Sequence, residues 1–506
     1  ASGEASAVLP EADANDEEET ARVQQAAALE EQALRRVREL WAEAAGAPSS
    51  GSPLTAMNCF VMVLNNDVAF TDAWFFVADE MIKIEEREGM APGTLKARIV
   101  GKEFAAWQCL IEGLKRDPKG YASAWLDLAK AIPRDKTSVR VGNNAGEFTR
   151  LQCIIQSLAI DDANASAWLA LGLLLIRSKE TGDGATAVKH NGRTYRPLDC
   201  FVRAVELDME CAEAWVSLAA ELRSRTDGAG DEPPRTVDVN DVAIRALDAY
   251  LAALRINGGL AGAWDGLGME LNALGAGSTC DVTIAGGIGE AEVTEVDAMD
   301  CIKRAVTLEP EEGAYWHHLA RAMPTGGAIE INEWQRSQID CFAEALRLDP
   351  DDHDAWMDMA EALPRGGVAK VGDRAVAPLR CYAEAVRTNP QNPVAWANVG
   401  ALLMPGATIA IADQLTELTQ IDCYVKSLRL ARRQPDVWRN LAAAILATKD
   451  AANQDFGSDD EGPDGEPLPA HERERPEVVT EVDVFGDGEM FTAERCVATA
   501  ADLEAA

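Results

Sequence analysis

A tryptophan that returns at a near-regular interval constrains this chain more than any other feature. Trp125, Trp168, Trp215, Trp264, Trp316, Trp356, Trp396 and Trp438 each head a variant of Ala-Trp-x-x-Leu-Ala, at spacings of 43, 47, 49, 52, 40, 40 and 42 residues. Three residues later stands Leu128, Leu171, Leu218, Leu267, Leu319, Met359, Val399 or Leu441, and the next position is always Ala or Gly. Seven residues after the tryptophan comes another large apolar side chain, such as Ile132, Leu175 or Leu403. Offsets of 0, 3, 4 and 7 lie on one face of a helix. A short amphipathic helix cannot bury that face alone, so the copies must stack.

A second phrase precedes each tryptophan: Cys-aromatic-x-x-Ala-Leu/Val-x-Leu-Asp-Pro, clearest at Cys341 to Pro350 and recognisable from Cys200, Cys301, Cys381 and Cys423. Proline stops this helix, and a short Asp/Asn-rich turn leads into the tryptophan helix. Each unit is therefore a helix pair.

The two phrases together resemble the tetratricopeptide repeat (TPR), with the Trp phrase as helix A and the Cys phrase as helix B, over roughly residues 25 to 506. The resemblance implies a mostly α fold, an α-solenoid of about ten TPR-like helix pairs whose concave face is lined by helix A. The helix near Val23 to Ala45 lacks the Trp phrase and is expected to act as a terminal cap, while Trp74 with Val77, Ala78 and Met81 opens the second pair.

The family period is about 34 residues, whereas the units here are 40 or longer. The turn from helix B to helix A is short throughout, so the extra residues lie between A and B of one pair. They read as β-hairpins: Val368 to Val371 turning at Gly372-Asp373, Ala187 to His190 at Asn191-Gly192, Ala328 to Ile331 at Asn332-Glu333, and Val479 to Phe485 at Gly486-Asp487-Gly488. Because an isolated hairpin is marginal in water, the hairpins are expected to pair side by side into a β-ribbon along one edge, with mobile loops as the alternative. Residues 1–20 read as an acidic disordered segment, 21–447 as the solenoid, 448–477 as an acidic disordered insert, and 478–506 as a final hairpin and capping helix B.

Net charge is −37, which disfavours nucleic acid and anionic membrane surfaces, and no apolar run is long enough to span a bilayer. The amino end is acidic and lacks a secretory apolar core. A cytoplasmic protein is the expectation, with a flagellar location, or the mitochondrial matrix after presequence removal, as alternatives. Nine of the eleven cysteines, at 59, 109, 153, 200, 301, 341, 381, 423 and 496, share one place in helix B, where Ala249 stands in the remaining copy. A small buried residue is wanted there, and thiols a full repeat apart can share neither a zinc ion nor a disulfide. The five histidines have no ligand spacing, and no nucleophile, phosphate-loop or dinucleotide motif is present. No catalytic, cofactor-binding or metal residue is assigned, and the chain is expected not to be an enzyme.

The resemblance places contact residues on helix A, one and five positions after the tryptophan and two before it. Carried onto this chain, the partner groove comprises Leu126, Lys130, Leu169, Leu173, Glu213, Val216, Asp265, Met269, His317, Arg321, Asp354, Met357, Glu361 and Arg439. The Lys/Asn constellation that grips a chaperone's terminal carboxylate in this family lacks its asparagines. The expected function is a protein-interaction scaffold or subunit of a larger assembly. It would take basic or amphipathic protein or peptide partners through the groove and the hairpin edge, without direct nucleic-acid or membrane contact and without a cofactor. The alternative is a structural subunit of a flagellar or organellar ribonucleoprotein complex.

Overall fold

The computed structural model describes residues 56–505 except 120, 134, 143–145, 181–185, 225–235, 276, 285–291, 365, 412–416, 455–478 and 487–488. The expected acidic leader, the helix near Val23 and most of the acidic insert lie outside the described residues. The helix A that opens at Pro435 runs to Gln454, past the boundary expected at residue 447. The chain divides into two compact units, residues 1–244 and 245–506.

Each unit is a stack of TPR-like helix pairs with a two-stranded antiparallel hairpin between A and B, so the fold is an α-solenoid of the tetratricopeptide type. In the Trp356 repeat, helix A spans His353–Ala362, the hairpin strands Ala369–Val371 and Arg374–Val376, and helix B Pro378–Thr388. The helices B from Ala56–Asn66 to Gln420–Leu430 are all three turns long, because both ends are fixed by local chemistry. At the start, the last hairpin residue serves as N-cap. Ser337 N–H donates to Asp340 Oδ2 (2.9 Å) while Asp340 N–H donates to Ser337 Oγ (3.2 Å), and Thr419 and Asp422 repeat the exchange. At the end, the Asp or Asn side chain folds the turn by accepting from the backbone two residues on, as Asp349 does from Asp351 N–H (3.0 Å).

The small residue four after the tryptophan is a socket for the residue that follows the cysteine. A Cβ on Gly172 would lie 2.5 Å from the Phe201 ring, and one on Gly400 2.9 Å from Tyr424. The cysteines from Cys109 onward in helix B are completely buried, as is Ala249.

The tryptophans do more than fill the core. Each indole N–H donates to a carbonyl of the preceding B–A turn: Trp168 to Asp162 O (2.9 Å), Trp264 to Gly258 O (2.9 Å), Trp316 to Pro310 O (2.8 Å), Trp356 to Pro350 O (2.9 Å), and likewise Trp74, Trp125, Trp215, Trp396 and Trp438. The hairpin that follows then folds back over the ring. Trp74 meets Phe104, Trp125 meets Phe148, Trp168 meets Tyr195 and Trp438 meets Phe491, with ring centroids 4.7–5.2 Å apart.

The hairpins are present as expected, at Asn191-Gly192, Asn332-Glu333 and Gly372-Asp373 among other turns. Asn332 and Glu333 both adopt positive φ (48° and 68°), as the tight hairpin turn demands. The expected β-ribbon does not form: among the described residues there are nine separate two-stranded sheets. One face of each hairpin is buried, through Ala97 and Ile99, Ala369 and Val376, or Val139. The hairpin therefore lies flat, packed towards helix B of the preceding repeat, as Ala369–Val371 lies on Gln338–Leu348. Turning it edge-on to a neighbour would withdraw those side chains into water.

Trp168→Phe keeps an aromatic ring but removes the donor to Asp162 O and leaves space beside Tyr195. We expect a loss of roughly 2–3 kcal/mol, read as a lower urea midpoint with faster hydrogen exchange in residues 150–207. Unchanged exchange there would mean that the indole bond does not hold the joint.

Candidate functional site

The helix A face is the surface assigned to partners, and its residues divide by position. Those five after the tryptophan, Lys130, Leu173, Arg321 and Glu361, are exposed, and Met269 is half-buried. Two before it, Glu213 and Asp354 are exposed. One after it, Leu126, Leu169, Asp265 and His317 are buried, with at most 8% of their surface accessible, while Val216 and Met357 are half-buried and only Arg439 is exposed. Leu126, Leu169, Asp265 and His317 therefore offer no open face to a partner. The position one after the tryptophan points along the stack, where adjacent helices A meet.

At Asp265 and His317 these contacts are polar. His317 Nδ1 lies 3.1 Å from Asp352 and its Nε2 2.9 Å from Asp358, both from the next repeat. His318, beside it, turns back to the previous repeat, with Nδ1 2.8 Å from Asp265. Arg321 adds a contact of 3.3 Å to Asp358. Three successive helices A are thus stitched by imidazole and carboxylate. Burial alone would pull the His317 pKa down, but the hydrogen bonds and charges of Asp352 and Asp358 outweigh it and hold it at about 9. Asp352 is buried enough to raise its own pKa, yet His317 and the Ala355 N–H bring it below the ordinary carboxylate value. Asp127, on the helix A of Trp125, is pushed up to about 6 by burial, with Lys130, Asp79 and Glu86 around it.

His353 is also structural, its Nδ1–H donating to Ala385 O (2.8 Å) while the Asn392 amide donates to Nε2 (2.6 Å). His190 is buried against Trp168 and bonds Asp162 (2.8 Å). The His317–Asp358 bridge escapes a search for ligand spacing because its members are 41 residues apart. A His at one position after one tryptophan and an Asp two after the next would have been the signal.

The open face comes together best on the Trp356 helix A. Asp354, Met357 and Glu361 stand at intervals of three and four residues, forming one stripe with two exposed carboxylates around a half-buried thioether. Arg439, in contrast, is tied to Asp436 and Glu504. Among the described residues no group of three or more His, Cys, Asp or Glu side chains could hold a metal ion, and no helix is long and apolar enough to cross a membrane. All eleven cysteines are free thiols, and burial pushes those of Cys109, Cys153, Cys200, Cys341, Cys381 and Cys423 up to about 12.

No protein-family model matches the chain, and no curated protein matches it. Among solved structures, YrrB, described as a TPR protein with an unusual peptide-binding site, is 15% identical; the match covers 48% of this chain and 96% of that one with a TM-score of 0.27. The human IFIT1 dimer with PPP-AAAA is 12% identical over 79% of each chain with a TM-score of 0.33. The same dimer with m7Gppp-AAAA is 12% identical over 84% of each chain with a TM-score of 0.35.

Two measurements test these assignments. In native protein a thiol reagent should modify Cys59, Cys211 and Cys280, the partly accessible thiols, and leave the eight buried ones until unfolding. Rapid labelling of Cys341 or Cys381 would contradict their packing.

The His317 bridge sets a pH window for residues 313–362. A histidine raised from an ordinary value of about 6.5 to about 9 stabilises fully below pH ~6.5 and loses that contribution as pH rises through 9. The lowered Asp352 contributes above its ordinary value of about 4 and fails as pH falls below it. The plateau is therefore about pH 4–6.5, and the alkaline loss is on the order of 3 kcal/mol. His317→Gln should flatten that alkaline limb in hydrogen exchange at residues 313–362 of the full chain.

Proposed function

We propose that the chain is a non-enzymatic protein-interaction scaffold whose helix A face holds basic, amphipathic segments of partner proteins. The Asp354–Met357–Glu361 stripe carries this reading. A partner helix with cations at matching intervals would pair with the two carboxylates, both of which are without an ion pair among the described residues, while its apolar side met Met357. Arg321 does not compete for them, because Asp358 holds it. Met269 in the same unit offers a second adaptable thioether contact, and Lys130, Leu173 and Glu213 present a separate mixed face in residues 1–244. A non-catalytic role is consistent with these polar groups being spent on stacking repeats.

The test is anisotropy of a labelled Lys/Leu amphipathic peptide with the full chain. Asp354→Lys/Glu361→Lys should weaken binding by about tenfold, or roughly 1.4 kcal/mol, and reduce its salt dependence. Equal affinity for the parent and the double variant would remove the stripe from the binding surface.

A further inference from the structure

On the opposite side of the Trp356 repeat, a cleft of about 990 Å³ opens between two successive helices B and the hairpin. It is walled by Gln338–Leu348, Pro378–Thr388 and the strand Arg374–Val376, and bounded by Ala410 and Ile411 of the next insert. Four arginines line it, although the whole chain has only 47 Lys and Arg against 84 Asp and Glu. Arg347 comes from the preceding helix B, Arg374 from the hairpin, and Arg380 and Arg387 from the repeat's own helix B.

The only carboxylate among the described lining residues, Glu384, is 8% accessible and braces two of these cations: Arg380 Nη2 at 2.9 Å and Arg387 Nε at 2.7 Å. Arg387 is further tied to Asp351 (2.9 Å), and Arg347 pairs with Glu344 (2.8 Å). Arg374 is exposed, and its side chain has no ion pair or hydrogen bond among the described residues. Glu384 and Asp351 together balance Arg380 and Arg387, whereas Arg374 in the same lining is uncommitted. The lining also includes the partly accessible Val371 and the exposed Ala375.

The fold repeats this cleft without repeating its charge. In the Trp168 repeat, a smaller cleft of about 460 Å³ lies against the matching strand Arg193–Tyr195 and helix B Pro197–Leu207 but carries Asp162, Asp199 and Glu206 against Arg193 and Arg203. The basic cleft is therefore a property of particular side chains, not of hairpin geometry.

We propose that this cleft binds a short acidic segment of a partner protein, with a carboxylate side chain bridging Arg374 and Arg380 and an adjacent apolar residue against Val371 and Ala375. Guanidinium forks match carboxylates in geometry and charge. Screening confines the cleft's field to about 8 Å at physiological ionic strength. A long polyanion such as RNA would extend beyond that range onto a chain of net charge −37 and be repelled. A short acidic peptide stays within it.

The experiment uses the full chain and a fluorescein-labelled peptide of alternating Glu and Leu. Saturable binding should weaken at least tenfold in Arg374→Glu and several-fold in Arg374→Ala. It should be unchanged in Arg193→Glu, which reverses the matching position of the other cleft. Both Arg374 variants should keep the parent's circular dichroism and melting curve, since the Arg374 side chain makes no bond that folding needs. No binding by the parent, equal affinity in Arg374→Glu, or an equal loss in Arg193→Glu would overturn the proposal. So would Arg374-dependent binding of a short oligouridine but not of the peptide. The basic peptide of the helix A test serves as the independent control: its affinity should be the same in Arg374→Glu, so either surface can fail without the other.

Discussion

The indole N–H of helix A, bonded to a carbonyl of the preceding turn, is the joint on which each repeat hangs. That turn must expose a carbonyl, because proline or an Asx turn has just ended helix B. A buried carbonyl without a donor would cost about 1–3 kcal/mol. Tryptophan answers with a donor at the edge of a large apolar plate, so one side chain caps the turn, fills the helix A core and offers a ring to whatever lies above. The same bond recurs from Trp74 to Trp438. Phe could supply the area but not the donor, and Tyr would place its hydroxyl elsewhere. This explains why the residue is so constant while the inserts vary.

The hairpins follow from that joint. Once the indole is pinned at one edge, its upper face needs a cover, and the returning strand provides Phe104, Phe148, Tyr195 or Phe491. Elsewhere a cation from helix B lies over the ring, as Arg304 does on Trp264 at 4.7 Å and Lys426 on Trp396 at 4.5 Å. Two strands that would be marginal alone become part of the core because their inner face closes over the tryptophan. The same inward face commits each hairpin to the tryptophan of its own repeat and to helix B of the preceding one. Successive hairpins remain unpaired, and the clefts between them stay open instead of being filled by a continuous sheet.

Helix pairing, the hairpin turns, the buried cysteine and the small socket residue were all legible in the sequence, because each is dictated by a short pattern repeated in register. Less legible was anything joining different repeats. The position one after the tryptophan holds Leu126, Asp265, His317 or Arg439, which read alike as groove residues until the neighbouring helix A is seen to cover most of them. The ribbon expectation failed for a related reason: hairpin sequences specify their own pairing, but their orientation is set by which face their repeat buries. Arg347, Arg374, Arg380 and Arg387 belong to three different elements, so no local motif announced their convergence.

Charge gives the stack its remaining logic. A chain at −37 must bring carboxylates together wherever repeats meet, and repulsion between them would open the array. Where Asp265, Asp352 and Asp358 converge, His317 and His318 sit between them, with His317 held protonated through neutral pH. On the helix B side, arginines do the same work, Arg387 drawing Glu384 and Asp351 together. Asp354 and Glu361 on helix A and Arg374 on the hairpin are exposed and have no ion pair among the described residues, so stacking does not use their charge. Those residues have opposite signs on opposite faces of one repeat, which gives the Trp356 unit two distinct tastes for a partner.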